Sequence, residues 1–238
     1  GLTIAPGSGQ GLVVEDATVD LSDATITGAD GVLGGGVMIA GGSLSLVDVA
    51  LTDNTATYGA DVYAEDGAEV SLTRVDASGG DASWGGSLYL DGASASLSAV
   101  TITGSAATYG GGLVAIDAEV IAEDVTATDI VADYTGGFGW IESSTLTATE
   151  LTIDGVDGDR TYGGGLYADD ATLTWTGGGV SGVRIASAAS GYSGGALYLT
   201  GDTVLTGSQL TFSDNESSSG AGIMAIESIA SLTDCAFE

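Results

Sequence analysis

Apolar residues alternate with polar ones along this chain in short stretches, and the same stretches return at a nearly fixed interval. One stretch reads apolar, outward, apolar, as in Leu88-Tyr89-Leu90, Leu166-Tyr167-Ala168 and Leu197-Tyr198-Leu199. A second has two apolar pairs split by a two-residue break. Examples are Leu44, Leu46, Val49, Leu51 and Ala95, Leu97, Val100, Ile102, and the last is Ala230, Leu232, Cys235, Phe237. Alternation of period two predicts strands with one buried face, and the break predicts a bend between strands. A helix is excluded because apolar positions do not recur at three and four.

Glycine clusters open each block. The anchors Gly9, Gly34, Gly59, Gly85, Gly110, Gly136, Gly163, Gly194 and Gly220 stand 25 to 31 residues apart. Self-similarity at this period marks a solenoid, whose repeats bury their apolar faces only by stacking. Three strands, one bend and two turns per block close a coil, and parallel crossovers are overwhelmingly right-handed. The expected fold is therefore all-β, a right-handed parallel β-helix of about nine three-stranded coils, forming a single domain over residues 1–238. At one strand spacing per coil the rod is about 40 Å long. Propeller blades need about 40 residues, more than a block offers. Leucine-rich repeats need an asparagine or cysteine at a fixed rung, and this chain has only Asn54 and Asn215.

Charge narrows the setting. The net charge is −30, with Arg74, Arg160 and Arg184 as the only basic side chains and no lysine or histidine. Such a field repels nucleic acid, anionic lipid and polyuronates, so no nucleic-acid partner is expected. No apolar run is long enough to span a bilayer as a helix, so no transmembrane segment is expected. Cys235 stands alone at an apolar repeat position and is expected to act as a small hydrophobe. Phe237 and Glu238 fall where a further coil could follow, so a segment of a longer protein or a stackable subunit is expected.

Gly194-Gly195-Ala196-Leu197, together with Phe212-Ser213-Asp214-Asn215, resembles the paired GGA[ILV] and FxxN motifs of polymorphic outer membrane protein passengers. Leu51-Thr52-Asp53-Asn54 is a weaker echo. The resemblance implies a secreted, surface-displayed β-helix of the pectin-lyase-like superfold, with adhesive or structural use.

Stacking would turn each repeat position into a column. The outward position of the first strand runs Val13, Met38, Tyr63, Tyr89, Val114, Trp140, Tyr167, Tyr198, Met224. Its aromatic members Tyr63, Tyr89, Trp140, Tyr167 and Tyr198 form a candidate contact strip for a cell-surface glycan or another copy of the chain; plain cross-strand stacking is the competing reading. A second column, Tyr58, Trp84, Tyr109, Tyr134, Tyr162 and Tyr192, precedes the glycines and is expected to cover the open turn. An acidic column of Glu15, Glu65, Asp91, Glu142 and Asp169, flanked by Asp16, Asp66, Asp117, Asp170 and Glu227, would repel itself unless cations bridge it.

Calcium is thus a candidate cofactor. The stretch Asp154-Gly155-Val156-Asp157-Gly158-Asp159-Arg160 is expected to be a turn whose Asp154, Asp157 and Asp159 could ligate it, without the EF-hand pattern. The repeat lengthens around 128–135, 154–162 and 181–193, where binding loops are expected. Threonine pairs at Thr25 and Thr27, Thr101 and Thr103, and Thr126 and Thr128, continued by Thr152 and Thr211, resemble the rows of β-helical ice-binding proteins, although Ala50, Asp76 and Gly179 interrupt them.

Catalysis is not expected. The β-helical enzymes of the pectin-lyase-like superfamily need basic residues to neutralise uronate charge, and histidine chemistry is absent here. The recurrent GxG strings mark turns rather than a phosphate loop. A polysaccharide-cleaving enzyme using carboxylate pairs is the alternative. The expected protein is a non-enzymatic, extracellular or surface-displayed rod that adheres, supports or assembles end to end, since bare rung edges recruit further strands.

Overall fold

A computed structural model describes residues 1–158, 162–185, 194–217 and 219–238. It is a parallel β-solenoid of about nine turns, with no helix among the described residues. The first strands of the coils, from Leu12–Glu15 and Val37–Ala40 through Val62–Glu65, Leu88–Asp91 and Gly139–Glu142 to Ile223–Ala225, form one nine-stranded sheet. The remaining strands, including Thr18–Thr27, Ser43–Thr52 and Ser94–Thr103, join a second sheet of seventeen. The strands pair in parallel with their equivalents in the adjacent coils, for example Leu44 with Val70 and Ala95 with Val120.

The middle coils carry one segment more than the expected three. Thr55–Tyr58, Asp81–Trp84 and Ala106–Tyr109 are short strands that lead into the glycine anchors. The lengthened repeats also differ from loose turns. Glu119–Thr135 and Thr145–Gly158 run as continuous strands, pairing Ile130 with Val156 and Val131 with Asp157. The added residues of neighbouring coils satisfy each other's backbone groups, which is why they stay extended. The stretch 186–193, with Tyr192, lies outside the described residues.

The bends are made by backbone in the left-handed region. The break in each apolar octet holds Asp23, Asp48, Arg74, Ala99, Asp124, Glu150, Gly177, Gln209 and Asp234, all at positive φ and all in one column. A second such column follows the first strands at Asp16, Gly41, Asp66, Gly92 and Asp117. A third ends the apolar octets at Gly28, Asp53, Gly79, Gly104 and Asp129. Aspartate is among the few L-residues that visit this region readily. Among the described residues, eleven of the seventeen non-glycine residues at positive φ are aspartates. Much of the chain's acidity therefore sits where the backbone turns. In the bend column Arg74 reaches down one coil to Asp48, with Nε–Oδ1 and Nη2–Oδ2 at 2.6 and 2.7 Å. That hydrogen bond lowers the Asp48 pKa and raises that of Arg74. The pair is exposed, so it adds little stability.

The glycine anchors hold the coils close. A Cβ on Gly86 would strike the Gly111 carbonyl, and one on Gly137 the Gly164 carbonyl. Only residues without a side chain let successive turns approach this closely.

Inside the tube the columns are apolar, and their volumes compensate from rung to rung. One reads Leu46, Leu72, Leu97, Ala122, Ala148, Trp175, Gly207, Leu232. The Trp175 indole is fully buried between Ala148 and Gly207, the small neighbours that make room for it. Phe212 stacks on Phe237 of the next coil at 4.9 Å.

Polar side chains enter this interior at several corners, and one corner column holds both asparagines. Asn54 Oδ1 accepts from the Ala29 amide at 3.1 Å while its Nδ2 donates to the Ile26 carbonyl at 3.3 Å. Asn215 repeats the arrangement with the Val183 amide and the Val180 carbonyl, at 3.3 and 3.0 Å. Each asparagine thus staples its corner to the corner below. At the same column position Ser105 is too short to do so, and its buried hydroxyl has no partner.

Asn54 also donates to Asp61 Oδ1 at 2.9 Å, and Ser87 Oγ donates to Asp61 Oδ2 at 2.7 Å. Asp61 is completely buried. Burial is the largest influence and pushes its carboxyl up to about 7, against the pull of the two hydrogen bonds. The folded-state value lies above the unfolded one, so the native chain binds the extra proton between about pH 4 and 7. This contribution to stability is complete below about pH 4 and is lost as pH rises through 7. Asp61→Asn, which mimics the protonated acid, should unfold several degrees above wild type at pH 8 and close to it at pH 4. Parallel thermal melts across that range measure the difference, and identical pH dependence in both proteins would show that Asp61 keeps its charge.

Candidate functional site

The outward face of the nine-stranded sheet carries the aromatic strip. Backbone pairing places Val13, Met38, Tyr63, Tyr89, Val114, Trp140, Tyr167, Tyr198 and Met224 in one unbroken column. Tyr63 and Tyr89 stack at 5.4 Å and 13°, and Tyr167 and Tyr198 at 5.6 Å and 12°. These separations lie in the favourable range for ring pairs.

The strip is less exposed than a column standing on a bare sheet would be. Tyr63, Tyr89 and Tyr198 are only 5 to 7 % exposed, and Val114 is fully buried. The reason is the second aromatic column, which folds over the first. Tyr58 meets Tyr89 edge-on at 5.2 Å, and Trp84 and Tyr109 lie against Trp140 at 5.3 and 5.4 Å. Tyr63, Tyr89 and Val114, with Tyr58, Trp84 and Ile116 packed on them, make a small apolar cluster outside the tube.

That cover breaks at one coil. The second column runs Leu33, Tyr58, Trp84, Tyr109, Thr135, Tyr162, because a register shift between Ala107 and Tyr109 puts Thr135, not Tyr134, opposite Tyr109. Tyr134 is displaced outward and is 45 % exposed. A threonine stands where a ring would otherwise lie. The space it leaves is a groove of about 310 Å³ lined by Thr135, Trp140, Tyr162, Tyr167, Tyr198 and Thr200. Trp140 and Tyr167 are half-buried along it.

Two residues beyond the rings, on the same side of the sheet, runs the acidic column. Its registered members are Glu15, Ala40, Glu65, Asp91, Ile116, Glu142, Asp169 and Thr200, so apolar or hydroxyl residues divide the acids. The rings donate to them. Tyr63 Oη donates to Glu65 at 2.8 Å, Trp140 Nε1 to Glu142 at 3.1 Å, and Tyr167 Oη to Asp169 at 3.4 Å. Burial, reinforced by these carboxylates, raises the phenol pKa values of Tyr63 and Tyr167. Burial likewise pushes Tyr89 up to about 12, so all three remain protonated donors at neutral pH. The pairing of ring and carboxylate at i and i+2 was available from strand periodicity, yet reading the two columns separately missed it.

The proposed calcium ligands are not gathered. Asp154 lies on a strand and accepts from Ser181 Oγ at 2.7 Å, while Asp157 pairs through its backbone with Val131 and Arg184. Asp159 lies outside the described residues. Among the described residues no group of three or more acidic or thiol side chains is placed to hold a metal ion. Cys235 is half-buried against the core of the last coil.

Hydroxyl residues cover the second strand face more densely than the third, where the threonine pairs were read. Thr145, Thr147 and Thr149 lie directly beneath Thr172, Thr174 and Thr176, all pointing outward. On the third face Thr101 and Thr103 pair with Thr126 and Thr128, and the Thr103 and Thr128 hydroxyls are 3.2 Å apart. Ala50, Asp76 and Gly179 interrupt the Thr25 column as the sequence indicated.

Compared with protein-family models, curated protein sequences and solved structures, the chain gives no match to any of them. Among the described residues no helix is long and apolar enough to cross a membrane.

The strip is closely covered at Tyr63, Tyr89 and Tyr198 and more open at Trp140 and Tyr167. Tyr89→Ala removes a buried ring from between Tyr63 and Tyr58 and should cost about 3 kcal/mol, within the range for buried aromatic truncation. Tyr167→Ala should cost less than half as much. Denaturant unfolding of the two variants tests the division, and equal losses would mean that the strip is one uniform structural layer.

Proposed function

We propose that this chain is a non-enzymatic, extracellular repeat rod, displayed on a surface, that attaches to a partner through the more open rings of its aromatic strip. The observation that carries this reading is the break in the ring cover at Thr135, which leaves Trp140 and Tyr167 accessible beside Glu142 and Asp169. Structural stacking alone asks for a continuous cover, whereas a contact surface needs an opening. The motifs shared with polymorphic outer membrane protein passengers support surface display, and the charge of −30 supports a well-hydrated extracellular setting.

The test is attachment of the purified chain to cells and to a glycan panel, with Trp140→Ala/Tyr167→Ala alongside. The double variant should fold and lose about tenfold or more in binding, as expected when two anchoring rings are removed. Undiminished attachment would remove the strip from the reading, and release of new glycan ends would replace adhesion with catalysis.

The threonine grid supports a second reading, ice binding, because Thr145, Thr147 and Thr149 repeat in register on the next coil. That reading expects thermal hysteresis that falls when Thr147 and Thr174 are replaced by tyrosine. A freezing point equal to the melting point in wild type would dismiss it.

A further inference from the structure

We propose that the groove at Trp140, Tyr162, Tyr167 and Tyr198 binds an organic ammonium group, an alkylated amine such as the head of choline or of a methylated lysine. This rests on reading the strip as a contact surface and names the chemistry of what it contacts. Three observations point to a cation.

The first is the disposition of the rings. Trp140 is tilted 53° from Tyr167 with centroids 5.1 Å apart, and Tyr162 stands at 75° to Tyr198 at 5.5 Å. Rings lying in one plane offer a platform for the flat face of a sugar. Tyr198 stacks on Tyr167 at 12°, but Trp140 and Tyr167 are turned against one another and are the more open of the rings. A cation seated at their junction would lie within about 6 Å of both centroids, the range in which ring faces attract it.

The second is the rim. Glu142 and Asp169 accept hydrogen bonds from the Trp140 and Tyr167 rings themselves, at 3.1 and 3.4 Å. Donation to a carboxylate makes each ring more electron-rich and fixes an acid beside each of these two groove rings. The one ion pair among the described residues, Arg74 with Asp48, lies at the bend column and not here.

The third is the field of the whole chain. At −30 it concentrates cations at the surface and repels uronates, sialylated glycans and phosphates. An alkylated ammonium fits better than a bare metal ion, because the groove walls are aromatic and hydroxyl groups rather than a cage of oxygens.

The experiment titrates choline and tetramethylammonium into the intact chain at constant ionic strength, following the heat of binding by calorimetry. The uncharged carbon isostere of choline is the control. Saturable binding is expected for both cations, with the isostere about tenfold weaker or more. Trp140→Ala and Tyr167→Ala should each abolish the saturable phase, and Glu142→Gln should weaken it severalfold without changing the melting temperature. Equal binding of the isostere, absence of saturation with either cation, or unchanged binding by the ring variants would each overturn the proposal. If the cations fail while the double ring variant still loses attachment to the glycan panel, the cation chemistry falls and the contact strip stands. If attachment is also unaffected, both fall.

Discussion

In-register stacking of turns whose corners use left-handed backbone is the constraint on which the rest of this structure depends. A parallel ladder pairs each residue with its equivalent one coil later, so every corner must bend at the same place in successive coils. The bend column shows what this asks of the chain. At the positions of Asp23, Asp48, Asp124 and Asp234 an L-residue adopts φ near +50°, which costs most side chains about 1–2 kcal/mol. Aspartate tolerates the region because its short carboxylate can bond to nearby backbone. Part of the −30 charge therefore arises from the way the backbone turns rather than from any ligand.

That reading also changes what the acids mean. From the sequence, the acidic column and its flanking aspartates appeared as one band of repulsion needing a cation. In the folded chain the flanking set, Asp16, Asp66, Asp117 and Asp170, are corner residues, whereas Glu65, Glu142 and Asp169 take hydrogen bonds from the rings two positions earlier. The motif asparagines have a similar explanation. Asn54 and Asn215 each bridge an amide and a carbonyl of the coil below, a role that follows from burial at a corner. An FxxN pattern can thus recur wherever a coil needs that staple, and by itself it speaks for the fold more than for a partner.

The period, the strands, the inward faces and the composition of each column were legible because parallel stacking converts a repeat in sequence directly into a repeat in space. What was not legible depends on distances across the coil. No alternation pattern says that the turn bearing Tyr58 and Trp84 folds back onto the face bearing Tyr89 and Trp140, and so Tyr63 and Tyr89 looked exposed. Nothing in the local pattern marks Asp61 as buried, because its partners Asn54 and Ser87 reach it from separate coils. Asp154 to Gly158 looked like a turn for its glycines, but the neighbouring coil lengthens at the same place and pairs with it. Trp175 fits inside only because Ala148 and Gly207 occupy the rungs on either side.

Among the described residues, a register shift in the repeat and an opening in the aromatic cover fall together. Between Gly110 and Gly194 the anchor spacing grows from 26 to 27 and then 31 residues, and within that interval the second ring column slips by one position. The slip costs the register little, because Ala106 with Val131 and Ala107 with Ala132 still pair normally before it. Its effect on the outer surface is larger. Tyr134 moves outward while its ring still meets Tyr109 at 5.6 Å, Thr135 takes its rung, and the space is bordered by Tyr162, by Tyr167 stacked on Tyr198, and by Trp140 tilted away from Tyr167. A solenoid built for uniform stacking has flat, self-covering faces, and a concave site on it requires a local departure from the period. The register shift provides that departure, and Glu142 and Asp169 set an acid beside each of its two more open rings.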